Sequence, residues 1–226
     1  MAVVPSAARR AGGESATRRR ARARKVVTAL RGEYAEADCA LLHQDAWELL
    51  VATILSAQCT DERVNMVTPG LFETFPTVDD LARADPERLE AAIRSTGFYK
   101  NKARSIRGAA EAVIARHGGE VPREMEDLVA LPGVGRKTAH VVRGTWFGLP
   151  AITVDTHVGR LSRRLGLTRE DDPVKVERQL EEVLPEEDRT FTSHALIWHG
   201  RRVCQARKPR CEACVLDGAC PSAHQF

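Results

Sequence analysis

The sequence contains no uninterrupted apolar run approaching the roughly 20 residues that span a bilayer, so no membrane-crossing helix is expected. It also lacks the 7–15-residue apolar stretch of a secretory signal near its start, and the expectation is a soluble, cytoplasmic protein. Alternating apolar and polar runs of the kind that build sheets are missing, and no segment repeats at a fixed period. Cysteine is scarce through most of the chain: only Cys39 and Cys59 precede the last 23 residues, where the other four are crowded. Such clustering in a chain without a signal argues against a disulfide scaffold and for a metal site.

What is present suits a globular protein. The 226 residues, 43% of them hydrophobic, can build one large domain or two lobes. Charge is uneven: residues 1–25 hold eight basic side chains against Glu14, a net of +7, which leaves −4 for the remainder of a chain whose total is +3. Residues 1–24 therefore read as a basic, disordered arm suited to a polyanion.

The pattern is helical almost throughout, giving an all-α fold. Residues 41–58 form an apolar helix with Asp45 as N-cap, and Asp61 caps a segment that Pro69 and Gly70 interrupt. Asp85-Pro86-Glu87 opens a helix that stops at Gly97. Further helices are expected over 101–117, from Pro122 to Leu131, over 136–147, from Asp155 through Arg164, around 176–184 and over 192–201. Residues 151–154 read as extended but too short to seed a sheet.

Three constellations carry chemistry. The first is Leu131-Pro132-Gly133-Val134-Gly135-Arg136-Lys137-Thr138-Ala139, between two helices. Its glycines permit unusual dihedrals and close approach of another backbone. Exposed N–H groups at the following helix start, with Arg136 beside them, make a phosphate site that holds a nucleic-acid backbone without reading sequence. Lys137 falls in the first turn of that helix, where the macrodipole disfavours a cation. Phosphate contact is one reason for its place; the other is nucleophilic attack, which a lysine amine performs only when neutral.

The second constellation is Val154-Asp155-Thr156-His157. Asp155 can cap the helix it opens, and a partly enclosed carboxylate there can also orient a nucleophile, take a proton or stabilise positive charge at a sugar carbon. His157 can meet a phosphate or simply pack. The third is Cys204-x6-Cys211-x2-Cys214-x5-Cys220. Four thiolates ligate a [4Fe–4S] cluster or a zinc ion, and the single close pair favours iron–sulfur over zinc. Arg207, Lys208 and Arg210 lie between the first two ligands and present cations to phosphate.

Together with Leu55-Ser56-Ala57-Gln58, Gly97-Phe98-Tyr99 and Asn101-Lys102-Ala103, these motifs resemble the endonuclease III branch of the helix-hairpin-helix DNA glycosylases, over residues 26–220. The resemblance implies two helical lobes with a DNA cleft between them. One is a six-helix barrel containing the helix-hairpin-helix, at 40–149; the other is a cluster lobe from 25–39 plus 150–226. It implies a monomeric, nucleoid-associated DNA glycosylase and AP lyase acting on oxidised pyrimidines such as thymine glycol, or abasic sites, in double-stranded DNA. By the same resemblance Lys137 is the nucleophile and Asp155 the essential carboxylate. Gln58 fills the space vacated by a flipped nucleotide, Phe98 wedges into the opposite strand, and Gly133, Val134, Gly135, Arg136 and His157 contact DNA. Cys204, Cys211, Cys214 and Cys220 hold a [4Fe–4S] cluster. Phe98, Cys59, His140 and Trp146 depart from the family pattern, which bears on substrate range. A lysine at 137 separates the chain from the adenine-specific mismatch glycosylases, which share hairpin, aspartate and cluster.

Overall fold

The computed structural model describes residues 14–226, and no strand occurs among them. The chain divides into two compact units. One joins the N-terminal segment, up to Asp38, to Pro150–Phe226, and the other is Cys39–Leu149.

The continuous unit contains α2 (Ala46–Leu55), α3 (Asp61–Thr74), α4 (Val78–Ala82), α5 (Pro86–Ile93), α6 (Tyr99–His117), α7 (Met125–Val129) and α8 (Arg136–Thr145). Its core is aliphatic and alanine-rich, from Leu49, Leu50 and Val51 on α2 to Ile106, Ala109 and Val113 on α6 and Val142 on α8. The long α6 packs on α4 and α5, while α8 packs on α2 and α7. Most helix starts are closed by the residue types the sequence offers. Asp45 accepts from the Glu48 amide and Asp85 from that of Arg88, and Thr77 forms a capping box with Asp80. Gly118, in the left-handed region, ends α6 as a glycine C-cap should.

Several expectations give way here. Thr60, not Asp61, caps α3. That helix also runs through Pro69 without a break, the proline costing only the hydrogen bond to the Asn65 carbonyl. Its neighbour Asn65 ties the helix to the preceding loop through Leu42 and Ala40. The segment after Pro122 is helical only over Met125–Val129. The short α4 had no apolar repeat long enough to announce it.

The composite unit contains α1 (Ala16–Glu33), α9 (Thr156–Arg164), α10 (Pro173–Val183) and α11 (Arg189–Arg202). Helix α1 packs on α10 and α11, and α9 packs on both α10 and α11. The disordered arm expected over 1–24 is corrected by α1; residues 1–13 lie outside the described part. Ala23, Val26, Val27 and Leu30 recur at helical spacing and are buried. The arginines are also spent on the protein itself. Arg19 pairs with Glu182, Arg20 donates to the Glu182 carbonyl, and Arg22 binds Glu14 and the Gly166 carbonyl. Apolar periodicity was masked by the density of arginine around it.

Candidate DNA-repair site

The hairpin between α7 and α8 uses its two glycines differently. Gly133 has φ +78°, and a side chain there would collide with Ser105 of α6. Glycine is required by both dihedral and packing. Val134 is buried and its amide donates to the Leu131 carbonyl at 3.1 Å, closing the turn. Gly135 is another matter. Its backbone is extended, φ −91° and ψ 173°, and a Cβ built on it meets nothing within 4 Å. Any residue fits there by conformation and packing, yet the N-cap of α8 has no side chain and no side-chain cap hydrogen bond. The helix start is left open to an outside acceptor. Arg136 and Lys137 are exposed in its first turn, which holds no acid.

Gln58 and Phe98 share an unusual backbone. Both are non-glycine residues in the left-handed region, φ +53° and +49°, where a bulky side chain is strained. Both are exposed, Phe98 by 63%. Strain of this kind persists where the surroundings enforce it and collects at functional positions. Lys102, part of a motif but assigned no role of its own, reaches the carbonyls of Leu55 and Thr96 just before these two positions. Of the departures, Cys59 is half-buried beside Gln58, His140 is buried, and Trp146 meets the His43 ring edge-on at 6.0 Å.

In the composite unit, Asp155 caps α9 with unusual completeness. Oδ1 accepts from the amides of His157 and Val158, both at 2.8 Å, and Oδ2 faces the His157 Nδ1 at 2.9 Å. Since a carboxylate only accepts, that ring nitrogen carries the proton. The structure thus brings Asp155 and His157 together, with the His157 ring packed against Gly200 of α11.

The four C-terminal cysteines line one pocket, with Arg164 and Phe226 on its wall. Burial pushes the Cys214 thiol up to about 11 and raises Cys220 as well. A bound positive centre is what draws such thiols into the thiolate form. Among the described residues no three His, Cys, Asp or Glu side chains converge as on a single ion. Four thiols around one pocket are a donor set that a [4Fe–4S] cluster or a zinc ion can use.

Residues that the sequence reading passed over support this cavity. Arg164 of α9 donates to Cys204 Sγ at 3.2 Å and to the carbonyls of Gln205 and Ala206, and Arg160 donates to those of Gly200 and Cys204. His199 Nε2 lies 3.3 Å from Cys214 Sγ, and its Nδ1 lies 2.9 Å from the Tyr34 hydroxyl. Burial holds the His199 ring near pKa 4, hence neutral. A hydroxyl donating to Nδ1 leaves the ring proton on Nε2, aimed at sulfur. The spacing of Arg160 and Arg164 on one helix face was the available signal. Arg207 and Lys208 are exposed on the loop, whereas Arg210 turns back to the Arg202 carbonyl.

Residues 51–186 match the HhH-GPD superfamily base excision DNA repair protein. The chain is 52% identical to endonuclease III of Synechocystis sp. over 203 residues, 89% of this chain and 93% of the relative. The chain belongs to the endonuclease III family. The family's Escherichia coli member is 39% identical over 196 residues, 87% of this chain and 93% of that one. Among solved structures, the trapped endonuclease III–DNA covalent intermediate superposes with a TM-score of 0.86 at 43% identity, covering 91% of this chain and 97% of that one. A thermostable thymine-DNA glycosylase shares the fold at 21% identity and TM-score 0.81. An endonuclease III fold and sequence make the chain a base excision repair enzyme, a DNA glycosylase and AP lyase.

Proposed function

We propose that Lys137 performs both activities on damaged DNA through an imine. The carrying observation is an exposed lysine in the first turn of a helix whose glycine N-cap is demanded by neither conformation nor packing. An acid-free helix start with a capless residue suits a DNA phosphate, held by Gly133, Val134, Gly135 and Arg136. The amine beside it attacks C1′ of the deoxyribose, the glycosidic C–N bond breaks, and the base leaves with a proton. Loss of the ring oxygen's bond to C1′ gives the imine. Removal of a C2′ proton then expels the 3′ phosphate by β-elimination.

Asp155 is the carboxylate that stabilises positive charge at the sugar carbon or receives a proton, at Oδ2. Capping and chemistry use different oxygens, so both roles hold at once. His157 fixes that oxygen through Nδ1, and its Nε2 meets a phosphate only when it too carries a proton. Gln58 and Phe98 enter the duplex as the damaged nucleotide leaves it. Cys204, Cys211, Cys214 and Cys220 would hold a [4Fe–4S] cluster, whose ligation closes the loop carrying Arg207 and Lys208 against the DNA backbone. Arg210, whose guanidinium donates to the Arg202 carbonyl at the end of α11, stays exposed and meets phosphate with them. Oxidised pyrimidines such as thymine glycol, and abasic sites, are the substrates this reading assigns. The enzyme acts as a monomer in the cytoplasm, on the nucleoid. No helix among the described residues is long and apolar enough to cross a membrane.

Borohydride reduction during turnover on thymine glycol duplex tests the reading. A covalent protein–DNA adduct is expected. No adduct, with an active control enzyme in parallel, removes Lys137 as nucleophile.

A further inference from the structure

Lys102 is a buried cation with no chemical task. It is 5% exposed, on the first turn of α6, and its ammonium donates to the Leu55 carbonyl and to the Thr96 carbonyl, both at 2.8 Å. Its backbone amide donates to the Phe98 carbonyl at 3.1 Å. Burial pushes its pKa down, opposed by the nearby Cys59 thiol. An ammonium removed from water is costly unless its protons are taken. The Leu55 carbonyl ends α2, and the negative pole of that helix is a favourable place for a cation.

The positions of these carbonyls are telling. Leu55 is three residues before Gln58, and Thr96 is two before Phe98, both of them exposed and held in the left-handed region. The segments come from separate parts of the chain and share Lys102 as their tie. Neutral side chains of equal length fill the space without meeting both carbonyls.

We propose that Lys102 is a positioning residue, a brace that fixes the Gln58 and Phe98 loops relative to each other so that both side chains enter the duplex together. The inference rests on the reading that Gln58 and Phe98 are inserted into DNA. Without the brace each strained loop relaxes on its own, and insertion ceases to be concerted. A misplacement of about 1 Å, remote from the reacting atoms, is expected to slow reaction on duplex by about 10- to 100-fold.

The experiment compares Lys102→Met, Gln58→Ala and Phe98→Ala in the full-length enzyme with two readouts. One is the fluorescence rise of 2-aminopurine placed opposite a thymine glycol, which reports unstacking before chemistry. The other is strand cleavage at an abasic site in a single-stranded oligonucleotide, where no base pair needs opening. The expected result is that all three variants blunt the fluorescence rise, while in Lys102→Met single-strand cleavage stays within about twofold of wild type. Should Lys102→Met lower both readouts together, Lys102→Gln, whose shorter neutral side chain keeps the site polar without reaching both carbonyls, must show the split or the brace is refuted as mere fold support. A normal rise in Lys102→Met beside blunted Gln58→Ala and Phe98→Ala overturns the brace alone. Normal rises in Gln58→Ala and Phe98→Ala overturn the insertion reading and the brace with it.

Discussion

Two helix starts in this protein are built in opposite ways. Helix α9 begins at Asp155, whose two oxygens take three donors from the first turn. Helix α8 begins at Gly135, which supplies no side chain where one would fit without contact. A carboxylate cap adds about 1 kcal/mol over an alanine and only a few tenths over glycine, so stability alone decides little between them. The contrast is therefore informative about ligands. One N-terminus has its negative charge built in; the other has a glycine cap with no side-chain hydrogen bond and carries Arg136 and Lys137 in its first turn.

That contrast can be broken in graded steps. The largest effect is expected for Lys137→Ala: strand nicking falls on the order of 10³-fold or more, while a gel-shift assay still shows binding through the open helix start. Asp155→Asn comes next. Asparagine caps a helix about as well as aspartate, so the melting temperature holds while base removal slows on the order of 10²-fold or more. Single-turnover kinetics and calorimetry on the same sample separate the two roles, and unaltered turnover would leave Asp155 a cap and nothing more.

Gly135→Asp makes the open start resemble the closed one. Helix α8 should gain roughly a few tenths of a kcal/mol, and DNA affinity measured by anisotropy should fall about tenfold. Unchanged affinity would mean that phosphate does not dock there. The smallest effect is expected from deleting residues 1–13, which removes Arg9 and Arg10 and leaves α1 whole. The slope of log affinity against log salt should become shallower by about 2 if both meet phosphate. Steady slope and affinity would confine the electrostatic footprint to residues 14–226.

Much of this was legible in the sequence where a local rule acts alone. Asp45, Asp85 and Asp155 cap as aspartates before apolar helices should, and Gly118 ends α6 in the left-handed conformation. The hairpin, the Asp155–His157 pair and the thiol cavity all stand on residues that their types and spacing had singled out. Reading failed where tertiary contacts outweigh composition. Helix α1 looked like an arm because arginine obscured its apolar stripe, and Pro69 looked like a break although one lost hydrogen bond does not end a packed helix. The ties made by Lys102, His199 and Tyr34 were invisible for a different reason. Their partners are 47 and 165 residues away, at Leu55 and between Tyr34 and His199. No pattern in a single sequence reports such pairings.

The most direct test is to map the bond itself. Wild-type enzyme is trapped with borohydride on thymine glycol duplex, digested, and the modified peptide sequenced by mass spectrometry. The account predicts one reduced sugar adduct, on the Lys137 amine. An adduct on another amine, or equal trapping by Lys137→Ala, would contradict it.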